Sequence, residues 1–346
     1  MNNKNNIINN LFENKINISV PIWFLRQAGR HIPEYFLIRS KAKNFIDFCL
    51  SEKLIVESTK LPLKYYDIDA AIVFSDILMI PWAMNRNVQF TKNIGPSMDP
   101  MIPGETKINK NINIFQSLKP LENAIKILRK DLPNNICLIG FSGAPWTLAC
   151  YMIEGQTSKD FINTRTAIWN SNKWFQELIE TLIIYIADKL EMQANAGANV
   201  LMIFDSWSHM IPNSFYKQFA IDPIAEIIRL LRYRNINVPI IGFPFKSGIS
   251  LIKYSYESNV DCLALDWSVN LNWALKNINP AIVMQGNLDP ASLIPNHSPF
   301  LLDEVTLILE TMKDKKFIFN VGHGLTPDCK IDNVKQVIKI VKDFIS

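Results

Sequence analysis

The sequence predicts a single-domain (β/α)8 barrel, and three observations lead to this fold. Eight short apolar segments recur along the chain, and strands this apolar are buried on both faces, as in a parallel sheet. Helical patterns follow nearly all of them, which gives eight βα units in one chain. Nearly every strand ends in polar or Gly-rich residues, at the edge where such barrels have their active sites. A doubly wound sheet is the competing architecture, but it would not bring all eight strand ends together.

The predicted elements follow one another with a steady rhythm. The strands cover residues 22–25, 70–74, 136–141, 200–204, 238–242, 262–265, 282–285 and 317–320. The helices cover about 37–65, 121–129, 159–196, 214–233, 249–257, 271–276, 301–312 and 334–344. Residues 85–117 contain several Gly and Pro without a steady period, which predicts a long loop or a small ribbon. We expect a flexible segment over residues 1–18 and the barrel domain over 19–346.

Composition and charge narrow the function classes. The net charge of +4 comes from 36 basic and 32 acidic residues, and the lysines are scattered, so no nucleic-acid footprint is visible. Five cysteines form no CxxC pair, which is typical of core thiols in a reduced compartment. The most apolar run, 70–84, is interrupted by Asp76 and Pro81 and is too short to span a bilayer, and the polar N-terminus lacks the apolar region of a signal peptide. These features predict a cytoplasmic protein with no membrane or nucleic-acid partner.

The stretch 21–35 contains the first candidate site residues. Arg26, Gln27 and Arg30 lie beside the small residues Ala28 and Gly29, with no acid between the two arginines. Two guanidiniums without a local partner suit a ligand with several carboxylates or phosphates, because each can bind one group through two hydrogen bonds. The alternative is a pair of surface arginines that bridge to distant acids, and residue types alone do not decide between them.

The polar strand ends should converge on one mouth. They comprise Arg26, Arg30, Asp76, Ser142, Asp205, Ser206, Lys246, Asp266, Asn287, Asp289 and His323. Asp76 taken alone favours a helix N-cap, whereas facing two arginines it becomes a receiver for ligand N–H groups or a developing cation. His323, between Gly322 and Gly324, is either a turn residue or an imidazole exposed to a ligand, and its place after the last strand favours the latter.

Other candidates have weaker signals. The sequence around Tyr151 favours a core aromatic at the start of a helix. Ser206 lacks the Gly-x-Ser-x-Gly motif and the nearby base of a serine nucleophile. Lys246 is the one lysine at a clear strand end, with nothing else to support a Schiff base. Five tryptophans near strand ends either pack the rim or line a large flat ligand: Trp23, Trp82, Trp146, Trp207 and Trp267. Without a dinucleotide, P-loop or zinc motif, the predicted site needs neither metal nor organic cofactor.

Seven blocks in one order resemble the uroporphyrinogen decarboxylase family. They are Arg26-Gln-Ala-Gly-Arg30 with Pro33-Glu-Tyr35, Ala70-Ala-Ile-Val-Phe-Ser-Asp-Ile-Leu78, Gly140-Phe-Ser-Gly-Ala-Pro-Trp-Thr-Leu148, Tyr151-Met-Ile-Glu-Gly155, Ala264-Leu-Asp-Trp267, Gln285-Gly-Asn-Leu-Asp-Pro290 and Phe319-Asn-Val-Gly-His-Gly324. The resemblance runs from about Ser19 to the C-terminus. It implies a (β/α)8 barrel, usually a homodimer, that needs no metal or organic cofactor. The implied reaction, in haem biosynthesis, converts uroporphyrinogen III to coproporphyrinogen III as four acetates lose CO2.

The resemblance also implies residue roles. Arg26 and Arg30 would bind substrate carboxylates, with Arg26 proposed for proton delivery too, and Gln27 belongs to the same motif. Asp76 would bind the pyrrole N–H groups at the centre of the macrocycle. The remaining three residues would contact acetate and propionate groups: Tyr151, Ser206 and His323.

Four positions depart from the family pattern, and two rival functions remain open. His31 and Phe36 replace a usual Tyr and Arg, the segment from Asn93 to Pro96 lacks the usual acids, and the segment from Phe243 to Lys246 matches loosely. A corrinoid-linked methyltransferase of the same superfamily would need zinc ligands, and no suitable His/Cys set is visible. A non-catalytic tetrapyrrole carrier would keep the arginines and could dispense with Asp76.

Overall fold

The computed structural model describes residues 6–13, 15, 19–91, 95–170 and 173–344, and parallel strands form its centre. Seven strands lie in one curled sheet in the order β1, β4, β5, β6, β7, β8 and β9, and every neighbouring pair is parallel. Their bounds are β1 Ala70–Ile72, β4 Cys137–Gly143, β5 Val200–Asp205, β6 Ile240–Pro244, β7 Cys262–Ala264, β8 Val283–Leu288 and β9 Phe317–Val321. The two short strands β2 (Gln89–Thr91) and β3 (Gly95–Ser97) form a separate antiparallel ribbon.

The segment from Pro21 to Trp23 closes the barrel between the first and last strands of the sheet. Phe319 N donates to Pro21 O (2.8 Å), and Trp23 N donates to Phe319 O (3.3 Å). On the other side, Asp69 N donates to Ile22 O (2.8 Å), and the Asp69 carboxylate accepts from Ile22 N (2.8 Å). The predicted first strand is therefore a single parallel bridge to Phe319 rather than a full strand. A side chain replaces part of the ladder there, which periodicity could not reveal.

Helices cover the outside of the sheet and connect its strands. Their bounds are α1 Ile7–Phe12, α2 Glu34–Arg39, α3 Phe45–Cys49, α4 Glu52–Lys60, α5 Met79–Ala83, α6 Ile114–Ser117, α7 Lys119–Asp131, α8 Pro145–Glu154, α9 Ile162–Trp169, α10 Lys173–Asn195, α11 Asp222–Tyr233, α12 Ser250–Glu257, α13 Leu271–Asn277, α14 Leu301–Thr311 and α15 Ile331–Asp343. Strands alternate with helices from β4 onward, as a (β/α)8 barrel requires.

Three long predicted helices are broken in the structure. The 37–65 region contains α2, α3, α4 and a 3₁₀ turn, Leu61–Lys64. The region predicted as one helix over 159–196 contains α9 and α10. A separate helix, α8, precedes it and is capped by Gly155 in the left-handed conformation (φ +75°). Helix α11 is preceded by a 3₁₀ turn, Asn213–Phe215, and a π-helical turn, Lys217–Ile221. Continuous apolar periodicity hid these breaks, because each piece packs its own apolar face on the core.

The described part of the N-terminal segment contains a helix, and the predicted flexibility of residues 1–18 stays a prediction. Residues 7–12 form α1, whose Ile8 and Leu11 are buried, and Asn6 caps it by accepting from the amides of Ile8 and Asn9. Residues 1–5, 14 and 16–18 lie outside the described residues, and the division of the chain at residue 18 stays a prediction. The five cysteines are free and buried, as the sequence predicted. The described part contains no helix long and apolar enough to cross a membrane.

Candidate active site

Arg26 lies in a tight loop directly after the closing segment. Its backbone is left-handed (φ +58°), which is costly for a residue with a Cβ. Two contacts hold the loop: Leu25 N donates to the Asn320 side chain (2.9 Å), and Leu325 N donates to Leu25 O (2.9 Å). A Cβ built at Gly324 would overlap the Arg26 side chain, so that chain passes directly over Gly324. The first and last strand ends are thus joined at Arg26.

Gln27 does not face the mouth. Its side chain is 0% exposed, its oxygen accepts from Phe24 N (3.0 Å), and its amide nitrogen donates to Ala70 O (2.9 Å). Both ends of the carboxamide are used to hold the Arg26 loop against β1. The prediction that Gln27 belongs to the ligand-binding surface therefore does not fit its position, because no end of the side chain is left for a ligand.

Asp76 lies after β1 and is partly buried. Its Oδ1 accepts from Leu78 N (2.8 Å), and no described residue donates to Oδ2. Oδ1 therefore holds the turn before α5, whose N-cap residue is Leu78 rather than Asp76, and the ligand role of Asp76 stays a prediction. Burial raises the pKa of the Asp76 carboxyl, while the Leu78 hydrogen bond and the cations Lys189 and Arg26 act against that rise. The carboxyl thus combines a fixed orientation with one unoccupied acceptor.

His323 follows β9 and is partly buried among aromatic rings. Its ring centroid is 4.9 Å from that of Phe245 and 5.9 Å from that of Trp267. Burial, together with Arg26 and Lys246, lowers the pKa of His323 to about 4, so the imidazole is neutral at neutral pH. A Cβ at Gly322 would overlap Trp267 N, so both flanking glycines are needed for close protein contacts rather than for ligand access.

Lys246 is a third cation near the strand ends, besides Arg26 and Arg30. Its ammonium lies 5.1 Å from the Trp267 ring centroid and 5.4 Å from that of Phe245, and its backbone is left-handed (φ +56°). Lys246 N donates to Asp266 Oδ2 (3.1 Å), which fixes the loop that presents the side chain. Arg26 and Arg30 are exposed, and neither belongs to an ion pair within the described ranges, where arginine pairs occur on other surfaces. The mouth is therefore rich in cations available to an anionic ligand.

Tyr151 and Ser206 follow β4 and β5, the two strands that lie between β1 and β6 in the sheet. Tyr151 is in the middle of α8, not at its start, and its ring packs edge-on against Trp207 at 6.1 Å. Burial raises the pKa of Tyr151, and Asp76 and Arg26 act on it with opposite signs, so it shares their field. Ser206 follows β5 directly and is partly buried.

Comparison with known proteins decides the family. The family model described as uroporphyrinogen decarboxylase (URO-D) matches residues 3–344. A uroporphyrinogen decarboxylase of Rhodospirillum rubrum is 39% identical over 323 residues, covering 93% of this chain and 92% of the relative. One from Rickettsia africae is 40% identical over 336 residues, covering 97% and 96%. The chain belongs to the uroporphyrinogen decarboxylase family.

Solved structures support the fold of this family member. A methyltransferase from Methanosarcina mazei aligns with a TM-score of 0.77 at 15% identity over 97% of both chains. A B12-independent methionine synthase from Shewanella sp. W3-18-1 aligns with a TM-score of 0.51 at 13% identity, covering 84% of this chain and 87% of that one. At these identities the likeness shows the fold alone. The predicted barrel is confirmed.

Several predicted strand-end residues of this family member hold loops instead of facing the mouth. Asp266 is buried and accepts from Lys246 N, Ser268 N and the Ser268 hydroxyl. The Asn287 amide donates to the carbonyls of Asp266 and Val269, and Asp289 caps the turn Pro290–Leu293. Strand position alone could not separate these residues from Asp76, because both kinds follow buried strands.

Four of the five candidate tryptophans divide into two groups. Trp23 is fully buried and donates to the Gln285 side chain (3.0 Å), and Trp146 is buried and donates to Trp207 O (2.9 Å). Trp207 and Trp267 are partly buried beside Tyr151 and His323. Packing alone therefore accounts for the first two, whereas the second two line the mouth.

Two of the departures from the family pattern, His31 and Phe36, lie in the segment that follows the Arg26 loop. His31 is buried, and its Nε2 is 3.1 Å from the Tyr66 hydroxyl; burial lowers the pKa of His31 to about 4. Phe36 is exposed on α2. Asn93 lies outside the described residues. No group of three or more His, Cys, Asp or Glu side chains suited to a metal occurs in the part of the chain that the structure describes.

Sequence reasoning missed one charged residue beside the site. Lys189, on α10, is 0% exposed, and its ammonium donates to the backbone carbonyl of Asp76 (3.3 Å). A lysine in a helical, mostly apolar pattern is normally interpreted as an exposed residue. The one available signal was its place four residues before Gln193, which also faces the sheet.

Proposed function

We propose that this chain decarboxylates uroporphyrinogen III to coproporphyrinogen III and converts four acetate side chains to methyl groups with release of four CO2. The observation that supports this most directly is Asp76. Its carboxylate is oriented by Leu78 N, keeps Oδ2 without a protein donor among the described residues, and lies in the field of Arg26. Such a carboxylate suits pyrrole N–H groups at the centre of a macrocycle.

The chemistry of the substrate requires a group of this kind. Loss of CO2 from an acetate leaves an electron pair that needs an acceptor. Protonation of the adjacent pyrrole carbon makes a cation that accepts this pair as the carbon–carbon bond to CO2 breaks. Protonation of the resulting exocyclic carbon and loss of the ring proton then give the methyl group, so one carboxylate is replaced by one proton. Asp76 would stabilise the pyrrolic cation through its fixed negative charge.

The cations at the mouth suit the other half of the substrate. Uroporphyrinogen carries eight carboxylates, and Arg26, Arg30 and Lys246 present guanidinium and ammonium groups without carboxylate partners among the described residues. A hydrogen bond to a charged group contributes about 1.5–3 kcal/mol. We assign Arg26 and Arg30 to substrate carboxylates, Arg26 also to proton delivery, and Tyr151, Ser206 and His323 to contacts with acetate and propionate groups. Gln27 we assign to holding the Arg26 loop.

The proposal predicts the products of one anaerobic incubation. The purified protein is incubated with uroporphyrinogen III without added metal or cofactor, and the oxidised products are separated by carboxylate number. We expect a series from seven to four carboxylates. Unchanged substrate that remains bound would indicate the tetrapyrrole carrier instead, and no binding at all would contradict both.

The methyltransferase alternative has a different requirement. It predicts stoichiometric zinc in the purified protein and a site for it, and no suitable cluster occurs among the residues with a described position. Metal analysis of the same preparation separates the two functions.

We further propose a cytoplasmic homodimer, for which the family resemblance is the support. Light scattering after gel filtration should give a mass of twice 39.7 kDa. A mass of one chain would contradict the dimer without affecting the proposed reaction.

A further inference from the structure

Lys189 has no role in the site described so far, although it is a lysine with no exposed surface. A buried ammonium costs several kcal/mol unless it is paired or hydrogen-bonded. Lys189 forms no ion pair with a carboxylate in the described ranges. Its ammonium donates to Asp76 O (3.3 Å) and lies 5.4 Å from the Phe141 ring centroid. A position this costly calls for a function that needs the charge.

Hydrogen bonds between α10 and β4 fix the position of Lys189. The last hydrogen bond between β1 and β4 runs from Val73 N to Ile139 O, and the chain then leaves β4. Gln193, one turn after Lys189 on α10, fills the gap by accepting from Phe141 N (2.8 Å) and donating to Phe141 O (2.9 Å). These two hydrogen bonds fix α10 against the sheet. Lys189, on the same face of α10, thereby reaches the backbone carbonyl of Asp76.

Of the two cations that act on Asp76, Lys189 is the buried one. The charges of Lys189 and Arg26 act on the Asp76 carboxyl, and the Asp76 charge acts on three further groups: Tyr35, Tyr151 and Cys49. Burial raises the pKa of both tyrosines and of the Cys49 thiol, so these three are neutral at neutral pH. Arg26 is exposed, and in the proposed complex its charge is engaged by a substrate carboxylate. Lys189 is inaccessible to substrate and keeps its charge available to Asp76.

We propose that Lys189 is a positioning residue that keeps Asp76 ionised while the site is filled with the anionic substrate. This inference rests on the proposed function only for the identity of the substrate, because the hydrogen bond from Lys189 to the Asp76 carbonyl is present in the free protein. Burial lowers the pKa of Lys189 to about 8, and Asp76 acts to raise it, so the ammonium is mostly protonated at neutral pH.

The sign of the expected pH effect follows from this arrangement. Asp76 acts as an anion, so activity falls as the pH drops through its pKa, which burial has already raised. Loss of the Lys189 charge raises that pKa further and moves the acid limb to higher pH. On the plateau Asp76 is ionised with or without Lys189, so the rate there changes little. General structural damage would lower the rate at every pH.

The test compares Lys189→Met with Lys189→Arg, and with Lys173→Met, which removes an exposed charge at the start of the same helix. For Lys189→Met we expect the acid limb of kcat to move up by about one pH unit, the plateau kcat to stay within about threefold, and the melting temperature to be unchanged or higher. Lys189→Arg should restore most of the acid limb, and Lys173→Met should leave it in place. An unmoved acid limb, or an equal loss of kcat at all pH values with a lower melting temperature, overturns the proposal.

A second measurement is independent of any activity. Aspartate labelled with ¹³C at its carboxyl is titrated by NMR in the ligand-free protein, and the Asp76 signal is assigned by its loss in Asp76→Asn. We expect the Asp76 pKa to be higher in Lys189→Met than in the unmodified chain. An equal pKa overturns the proposal whatever the assay shows, whereas a higher pKa in a protein that leaves uroporphyrinogen unchanged would refute the proposed function alone.

Discussion

Two kinds of polar side chain follow the buried strands of this barrel, and the difference between them defines the site. Gln27, Asp266 and Asn287 are buried, and their polar atoms bind backbone groups of neighbouring loops. Arg26 and Asp76 keep polar atoms without protein partners among the described residues and face one mouth. The first kind fixes loop geometry, and the second is the kind to which we assign ligand binding. Position after a strand is common to both, so the hydrogen-bond partners tell them apart.

The largest effect is expected where this distinction is sharpest, at Asp76. In Asp76→Asn the Leu78 bond to the side-chain oxygen can remain, but the charge that stabilises the pyrrolic cation is lost. We expect kcat to fall about 10²–10³-fold, as on removal of one well-placed electrostatic group. Substrate binding should be weakened but measurable, by single-turnover assays and equilibrium binding.

Asp266→Asn is the matched control, since Asp266 also follows a strand but its oxygens accept from the backbone amides of Lys246 and Ser268. It should lower the unfolding free energy by about 1 kcal/mol, because one hydrogen bond is lost. The kcat should stay within a few-fold of that of the unmodified chain. Near-normal turnover in Asp76→Asn would remove Asp76 from the mechanism.

The second largest effect is expected from a comparison of the sequence neighbours Gln27 and Arg26. Gln27→Leu leaves Phe24 N and Ala70 O without their side-chain partners inside the barrel. At about 1–3 kcal/mol for each of the two buried groups left unpaired, we expect a loss of about 2–6 kcal/mol in the unfolding free energy. Denaturant unfolding followed by circular dichroism measures it.

Arg26→Leu provides the comparison, because Arg26 is exposed and bears no such backbone bonds. It should lose activity with less than about 1 kcal/mol of stability. Equal stability of the two variants would mean that Gln27 does not hold the loop and could bind ligand after all.

A smaller effect tests whether Gly324 makes room for Arg26. A Cβ at Gly324 would overlap Arg26 Cδ and Cγ, so Gly324→Ala forces the guanidinium into another direction. We expect kcat/KM to fall about tenfold, since small displacements of a positioning group are costly, with little change in stability. A double-mutant cycle with Arg26→Ala decides the cause: once the Arg26 side chain is gone, Gly324→Ala should have no further effect. Additive losses would place the role of Gly324 elsewhere.

The sequence sufficed for the barrel, because apolar strands buried on both faces and the helices between them are properties of local pattern. It also sufficed to name Asp76, Arg26 and His323 as strand-end residues. It could not show that Gln27 turns inward, that Asn320 holds the Arg26 loop, or that Lys189 reaches Asp76 from behind. Each of these depends on a contact between segments more than 40 residues apart or on which face of a loop is buried, and neither follows from residue type or spacing.

The smallest effect concerns Lys246, whose left-handed backbone costs about 1 kcal/mol that glycine would not incur. Lys246→Gly should therefore raise the unfolding free energy by up to about 1 kcal/mol, since the ammonium has no carboxylate partner among the described residues to lose. If that ammonium binds a substrate carboxylate, kcat/KM should fall about threefold to tenfold, the worth of one exposed charged contact. A variant that is more stable and less active places Lys246 with Arg26, as a strained residue kept for ligand binding. A variant that is more stable and fully active places it outside the site.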